Sequence, residues 1–142
     1  MLVNISYNDK KVKTFIDETV GKPFGLLDNI KLNGVGSPRL VIEKASQEVF
    51  ELLSYDNNNN YCNIELRPKG IIVRFRSLLE TYGLIIPYYK LVVFKPGNQI
   101  TIHIDHHFVT LNAMPNNKSV NLFFEKMIDQ KLENEPTYVD DL

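Results

Sequence analysis

All three histidines of the chain lie within five residues, His103-Ile104-Asp105-His106-His107. Imidazole and carboxylate groups bind zinc, nickel and iron, so this segment has the residue types of a metal site. On a continuous strand, His103, Asp105 and His107 would share one face, because side chains repeat every two residues. A turn at Asp105-His106 would separate the imidazoles, and aspartate is common in such turns. The segment is therefore either a metal site formed by His103, Asp105, His106 and His107, or a polar hairpin tip.

Four basic residues lie in or beside the predicted turn Pro68-Lys69-Gly70 and form a second candidate site: Arg67, Lys69, Arg74 and Arg76. Arginine binds phosphate and carboxylate groups through two parallel hydrogen bonds. Pairing of the two strands would bring the four side chains near one another. The pattern predicts an anion-binding surface, and the alternative is the ordinary charged, water-facing side of a sheet.

Tyrosines and the single cysteine are the remaining candidates for chemistry. Tyr82, Tyr88 and Tyr89 have the large area and polar tip typical of interface residues. Tyr88 and Tyr89 would point to opposite faces of one strand, so at most one of them lines a given surface. Cys62 shares one strand face with Ile64 and Leu66. It is therefore predicted to pack in the core rather than act as a nucleophile.

The sequence lacks the short motifs of common enzyme classes: a Walker loop, G-x-S-x-G, H-E-x-x-H and C-x-x-C. No cofactor is predicted and a non-enzyme is favoured, although a catalytic triad stays open because its members meet only in space. The 142 residues carry 17 acidic and 16 basic side chains, a net charge of −1. This balance argues against nucleic-acid binding through bulk charge.

Neither a targeting signal nor a membrane span is expected. The first 13 residues contain no apolar run of signal-peptide length. The longest apolar stretches, such as residues 83–87, are far shorter than the roughly 20 residues of a membrane-spanning helix. The expectation is a soluble, cytoplasmic protein.

Helical spacing of apolar residues predicts a short helix from Lys10 to Val20 and a helix of about four turns after Asn116-Asn117. The second helix is amphipathic, and its stripe of Phe123, Phe124 and Met127 must be buried against another element. Between the two helices the pattern is mainly that of strands.

Two alternating runs on either side of Pro68-Lys69-Gly70 predict an antiparallel hairpin with one buried and one water-facing side. Tyr82 to Ile86 and Tyr88 to Phe94 are predicted as two more strands, separated by Pro87, which marks a kink or an edge. An edge there could pair with a second copy of the chain and give a homo-oligomer. The segment from Glu48 to Tyr55 fits either a strand or a helix.

The order of strands followed by one helix resembles the pleckstrin-homology-like barrel. The residues that carry the resemblance are Leu84 to Val93, Ile100-Thr101-Ile102 and Phe108. Within them, the run IIPYYKL is similar to the IP-x-x-x-I strand of GRAM domains and of bacterial pleckstrin-homology-like proteins. The resemblance implies an α+β, mainly β fold: a strongly bent antiparallel sheet or small barrel, capped by a C-terminal amphipathic helix.

The resemblance covers residues 37–132. It leaves residues 1–36 as an N-terminal extension with a short helix, and residues 133–142 as a flexible acidic tail. Members of this broad fold bind lipids, peptides or proteins and usually are not enzymes. The resulting hypothesis is a non-catalytic binding module whose partner is an unidentified protein or an anionic small ligand. The alternative is a metal-binding protein or metal-dependent enzyme that uses the segment from His103 to His107.

Overall fold

The computed structural model describes residues 1–55, 60–95, 97–112 and 116–134. The asparagine-rich loop and the acidic tail expected from the sequence lie largely outside these ranges. The described elements, in chain order, are β1 Leu2–Asn4, α1 Lys10–Val20, α2 Leu26–Lys31, β2 Leu40–Ala45, α3 Gln47–Ser54, β3 Tyr61–Arg67, β4 Gly70–Ser77, β5 Glu80–Pro87, a 3₁₀ turn Tyr88–Lys90, β6 Val92–Phe94, β7 Gln99–Ile104, β8 His107–Asn112 and α4 Lys118–Glu133.

The strands form one antiparallel sheet in the order β1-β5-β4-β3-β2-β8-β7-β6. Strand β2 joins its two halves: Leu40 and Val41 pair with β3, whereas Ile42, Lys44 and Ala45 pair with β8 across a shift in register. Such an irregularity bends a strand and increases its twist. The edge strands β1 and β6 do not pair with each other, so the sheet is not closed. The predicted antiparallel sheet is confirmed, and its alternative, a small barrel, is wrong.

Helix α4 supplies much of the main core. The Asn117 side chain accepts a hydrogen bond from the Val120 amide at 3.1 Å and caps the first turn, as the sequence predicts. The predicted stripe of Phe123, Phe124 and Met127 is buried in one cluster with the inward side chains of β2, β3, β4, β5, β7 and β8. Helix α4 therefore covers one face of the sheet.

Helix α1 has the predicted bounds and covers part of the opposite face. Ile16 and Val20 pack there against Ile72 and Ile85, and both of these sheet residues are fully buried. The prediction that this face of the hairpin is entirely water-facing is therefore wrong at Ile72, because a helix distant in sequence lies over it. Residues 1–36 also contribute β1, which pairs with β5.

The segment after Pro87 differs from the predicted strand Tyr88 to Phe94. The Tyr88 amide donates to the Lys69 carbonyl at 2.9 Å, and its buried ring places the hydroxyl 3.2 Å from the Arg67 carbonyl. These contacts hold the chain in a 3₁₀ turn, and only Val92–Phe94 forms a strand, β6, at the sheet edge.

The segment from Glu48 to Tyr55, which from the sequence fits either a strand or a helix, forms helix α3. Its Val49 and Leu53 are buried in the main core. Among the helices that the structure describes, none has the length and apolar character needed to cross a membrane.

Candidate functional site

Glu65 on β3 controls two of the four predicted anion-binding residues. Its carboxylate accepts from Arg67 Nε and, at 2.5 Å, from Arg74 Nη1. Arg67 is buried and also donates to the Gly21 carbonyl at 2.9 Å, with Asp17 at 3.4 Å. Arg67 thus ties the end of α1 to the sheet, and its side chain is committed to internal contacts.

Arg67 and Arg74 favour the ionised form of Glu65. Burial by itself raises the pKa of this carboxyl group, but hydrogen bonds and charge from Arg67 and Arg74 together outweigh burial. The net result is a pKa below the ordinary glutamate value. Glu65 is therefore ionised at neutral pH and neutralises part of the basic hairpin.

The structure separates the predicted basic residues along the hairpin. Lys69 lies exposed in the turn between β3 and β4, where its amide donates to the Val20 carbonyl. Arg76 lies near the other end of β4, paired with Thr81 of β5. At about 3.3 Å per residue, Lys69 and Arg76 are roughly 23 Å apart along the chain. Arg74 and Arg76 remain together, whereas Arg67 and Lys69 lie elsewhere.

A third arginine joins Arg74 and Arg76 from a different strand. Arg39 precedes the inward-facing Leu40 of β2 and points to the outer face, as Arg74 and Arg76 do on β4. These three arginines line one open pocket of about 630 Å³, which we call the arginine pocket. The other lining residues include Ser37, Tyr61, Asn63, Leu78, Leu79 and Thr81.

Two guanidinium groups of the arginine pocket are available to a ligand. The guanidinium carbon of Arg39 lies over the Tyr61 ring, 4.6 Å from its centroid, a cation–π contact that helps to position the side chain. Arg39 and Arg76 are exposed, and neither forms an ion pair with any residue of the described ranges. Arg74 keeps its contact with Glu65. The arginine pocket therefore has an excess of positive charge, and its guanidinium groups can each donate two parallel hydrogen bonds.

Two leucines form the rim of the arginine pocket at the turn between β4 and β5. Leu78 and Leu79 are 59% and 88% exposed. Leu78 has a φ of 57°, a left-handed conformation that costs a residue with a side chain about 1–2 kcal/mol. Tight hairpin turns normally place Asn, Asp or Gly at such positions. The fold thus holds two apolar side chains beside the arginines, and the backbone of one of them, Leu78, has a conformation that leucine disfavours.

The histidine segment forms a turn rather than a continuous strand. Asp105 adopts a φ of 53° at the turn between β7 and β8, and its carboxylate lies 3.7 Å from Lys90 Nζ. His103 packs against Phe108 on the outer side of this hairpin, with ring centroids 5.6 Å apart. His107 pairs with Ile104 and faces the inner side. Of the four predicted ligands, only His106 and His107 lie side by side, with ring centroids 4.1 Å apart.

Glu48, in the first turn of α3, completes this cluster and was not identified from the sequence. His106 Nε2 lies 3.6 Å from Glu48 Oε1, and His107 Nε2 lies 3.8 Å from Glu48 Oε2. Burial lowers the pKa of His107, and the neighbouring His106 adds to this effect while Glu48 opposes it. No local motif connects Glu48 to the histidines, since they meet only through the pairing of β2 with β8.

The cysteine and the tyrosines do not form a common surface. Cys62 is buried, and burial raises the pKa of its thiol to about 12, so it stays protonated at neutral pH. Tyr88 is buried, Tyr89 is exposed, and Tyr82 is half-buried against Phe75. The tyrosine that lies in a candidate site is instead Tyr61.

Comparison of the chain with protein-family models, with curated proteins and with solved structures gave no match. The resemblance to pleckstrin-homology-like domains therefore stays a prediction from the sequence. The function has to be argued from the residues of the arginine pocket and of the histidine cluster.

Proposed function

We propose that the protein is a non-catalytic binding module that recognises an anionic ligand in the arginine pocket. The observation that carries the proposal is that Arg39, directly before β2, converges with Arg74 and Arg76 of β4. Arg39 and Arg76 have no carboxylate partner among the described residues. Arginine's rigid fork suits bidentate capture of phosphate or carboxylate groups. An ordinary solvated sheet face more often alternates charges of both signs, which weakens any local excess.

The rim supports a ligand that also has an apolar part. Leu78 and Leu79 lie beside the arginines, and the left-handed backbone at Leu78 is the kind of local cost that clusters at functional sites. Tyr61 adds an aromatic ring to the lining of the pocket, and the Arg39 guanidinium lies over this ring. The chemical class proposed is therefore a phosphate- or carboxylate-bearing molecule or peptide with an adjoining apolar group.

A pleckstrin-homology-like identity belongs to the same proposal. Its support is the bent antiparallel sheet with a C-terminal helix packed on the inner face, together with the run from Ile85 to Leu91. Fold likeness does not itself assign a ligand, so the binding proposal rests on the arginine pocket. A cytoplasmic location is part of the proposal too, and its support is the single, buried cysteine, which is typical of proteins kept in a reducing compartment.

The test is a calorimetric titration of the protein with inorganic pyrophosphate and, separately, with a hexaglutamate peptide. We expect binding at low ionic strength that weakens toward about 0.15 M salt, where the screening length is about 8 Å. Arg39→Gln combined with Arg76→Gln should abolish it, because both exposed guanidinium groups are removed. The far-UV spectrum should stay unchanged, since neither side chain makes an ion pair with a described residue.

The matched control is Lys69→Gln combined with Lys95→Gln. It removes the same charge from exposed positions outside the arginine pocket and should leave binding nearly unchanged. Equal loss in both double variants would mean that the parent attracts anions only through overall charge. Absence of binding to either probe at low salt would reduce the arginine pocket to a solvated sheet surface.

A further inference from the structure

We propose that Glu48, His106 and His107 form a binding site for a late first-row divalent cation, with Zn²⁺ as the representative ion. One ligand atom from each of the three residues lies within 4.8 Å of the others. Two imidazoles and one carboxylate are a ligand set that zinc sites use, with the remaining positions left to water or substrate. This site is separate from the arginine pocket.

The distances in the cluster are close to those that a bound ion requires. Zinc–ligand bonds of about 2.0–2.1 Å in tetrahedral geometry place neighbouring ligand atoms about 3.3–3.4 Å apart. The two nitrogen–oxygen distances here are 3.6 Å from His106 to Glu48 and 3.8 Å from His107 to Glu48. The two contacts use different oxygens of Glu48, and the three ligand atoms lie within 4.8 Å of one another, so the exposed Glu48 and His106 side chains have to rotate to bring them together around one ion.

The backbone around the cluster is fixed before any ion binds. The amide and hydroxyl of Ser46 donate to the Phe108 carbonyl, at 2.9 Å and 3.3 Å, and the Phe108 amide donates back to the hydroxyl at 3.1 Å. Ser46 is the N-cap of α3, two residues before Glu48, and Phe108 directly follows His107. These contacts hold the carboxylate-bearing turn against the histidine-bearing strand, so little rearrangement is needed to bind.

His107 supplies an observation independent of the grouping. Its side chain is more than nine-tenths buried, and Nδ1 has no hydrogen-bond partner in the part of the chain that the structure describes. Buried polar atoms are nearly always satisfied, so a buried imidazole with an unpartnered Nδ1, and with its Nε2 3.8 Å from a carboxylate oxygen, is unusual. A cation between His107 Nε2 and Glu48 would replace this long contact by a coordinate bond, and Nδ1 would then carry the proton of the ring.

The surroundings leave room to complete the coordination. The three residues line an open pocket of about 630 Å³, which can hold water or a ligand at the remaining positions. The lysine in the same pocket, Lys90, lies 3.7 Å from Asp105 Oδ2, so a carboxylate offsets its charge. His103 lies on the other face of the hairpin and does not contribute.

The experiment uses untagged full-length protein, treated with chelator and titrated calorimetrically with zinc chloride. We expect one ion per chain in the parent. Glu48→Gln and His106→Ala should each weaken binding at least about tenfold, the loss typical even of groups that only support a metal ligand. Both residues are exposed, so these variants should keep the parent's far-UV spectrum and melting temperature. The visible spectrum of the Co²⁺-loaded protein should change in the same two variants.

His103→Ala is the matched control, because it removes an imidazole four residues from His107 that lies outside the cluster. It should bind Zn²⁺ as tightly as the parent. The proposal is overturned if the parent binds no stoichiometric ion, if Glu48→Gln and His106→Ala bind as the parent does, or if His103→Ala loses as much affinity. Glu48 lies outside the arginine pocket, so Glu48→Gln should bind pyrophosphate as the parent does. The metal-site proposal and the anion-binding proposal can therefore fail independently.

Discussion

The Glu65 carboxylate determines which arginine side chains on the outer face of the sheet are free to bind a ligand. It accepts from Arg67 and Arg74, while Arg39 and Arg76 are left without an acidic partner among the described residues. Removing one partner of a buried charge pair leaves an uncompensated charge, which costs more than the pair contributes. Glu65 is therefore first a structural residue, and it reaches the arginine pocket only through its contact with Arg74.

The first prediction concerns the variant Glu65→Gln. We expect a loss of about 2–3 kcal/mol in the free energy of unfolding at neutral pH, measured by urea denaturation, because Arg67 is left buried with a weaker partner. The folded-state pKa of Glu65 is lowered, so its contribution is fully present above the unfolded value of about 4.3. That contribution is lost as the pH falls through the folded-state value. The variant should therefore lose less stability than the parent on acidification.

Glu18→Gln is the control for this prediction, since Glu18 is an exposed carboxylate on α1. It should alter the free energy of unfolding by less than about 0.5 kcal/mol. If Glu65→Gln behaves like Glu18→Gln at every pH, the two arginine contacts contribute nothing to stability.

At the scale of elements, helices cover both faces of the sheet. Helix α4 packs its aromatic stripe on the inner face, and α1 packs over Ile72 and Ile85 on part of the outer face. The rest of the outer face, around Arg39 and Arg76, stays open. Helix α1 and the arginine pocket thus occupy different parts of the outer face.

The second prediction tests the packing of α4. Phe123→Ala or Phe124→Ala should lower the free energy of unfolding by about 3–5 kcal/mol, because each removes a buried aromatic side chain and leaves a cavity. Leu122→Ala is the control, since Leu122 is on the same helix but exposed. Three variants with the same denaturation midpoint as the parent would show that α4 does not cover the sheet.

At the scale of the whole molecule, the open sheet has two edges, β1 and β6. Strand β6 pairs only with β7, and its Val92 and Phe94 are exposed. An exposed apolar edge strand offers unpaired backbone groups to another chain. The homo-oligomer expected from the sequence would form at this edge.

The third prediction is that the protein self-associates through β6, with a sedimentation coefficient that rises with concentration. Phe94→Lys should shift the equilibrium toward monomer, because a charge on an edge strand opposes pairing. Leu27→Lys, at an exposed apolar position on α2, should leave the equilibrium unchanged. A parent that stays monomeric at high concentration would contradict the prediction.

The sequence by itself determined the elements whose signals are local. The helix Lys10–Val20, the cap at Asn117 and the hairpin around Pro68-Lys69-Gly70 follow from periodicity, capping and turn chemistry within a few residues. The same local signals predicted the turn at Asp105-His106 and the burial of Phe123, Phe124 and Met127.

Only the tertiary structure determines which of these elements contact one another. The composition of both candidate sites follows from those contacts. Arg39 reaches Arg74 and Arg76 because β2 pairs with β3. Glu48 reaches His107, 59 positions later in the chain, because β2 also pairs with β8 and Ser46 bonds to Phe108. Neighbouring strands are selected by the sum of many distant apolar contacts in one core, so no pattern of a few residues contains that information.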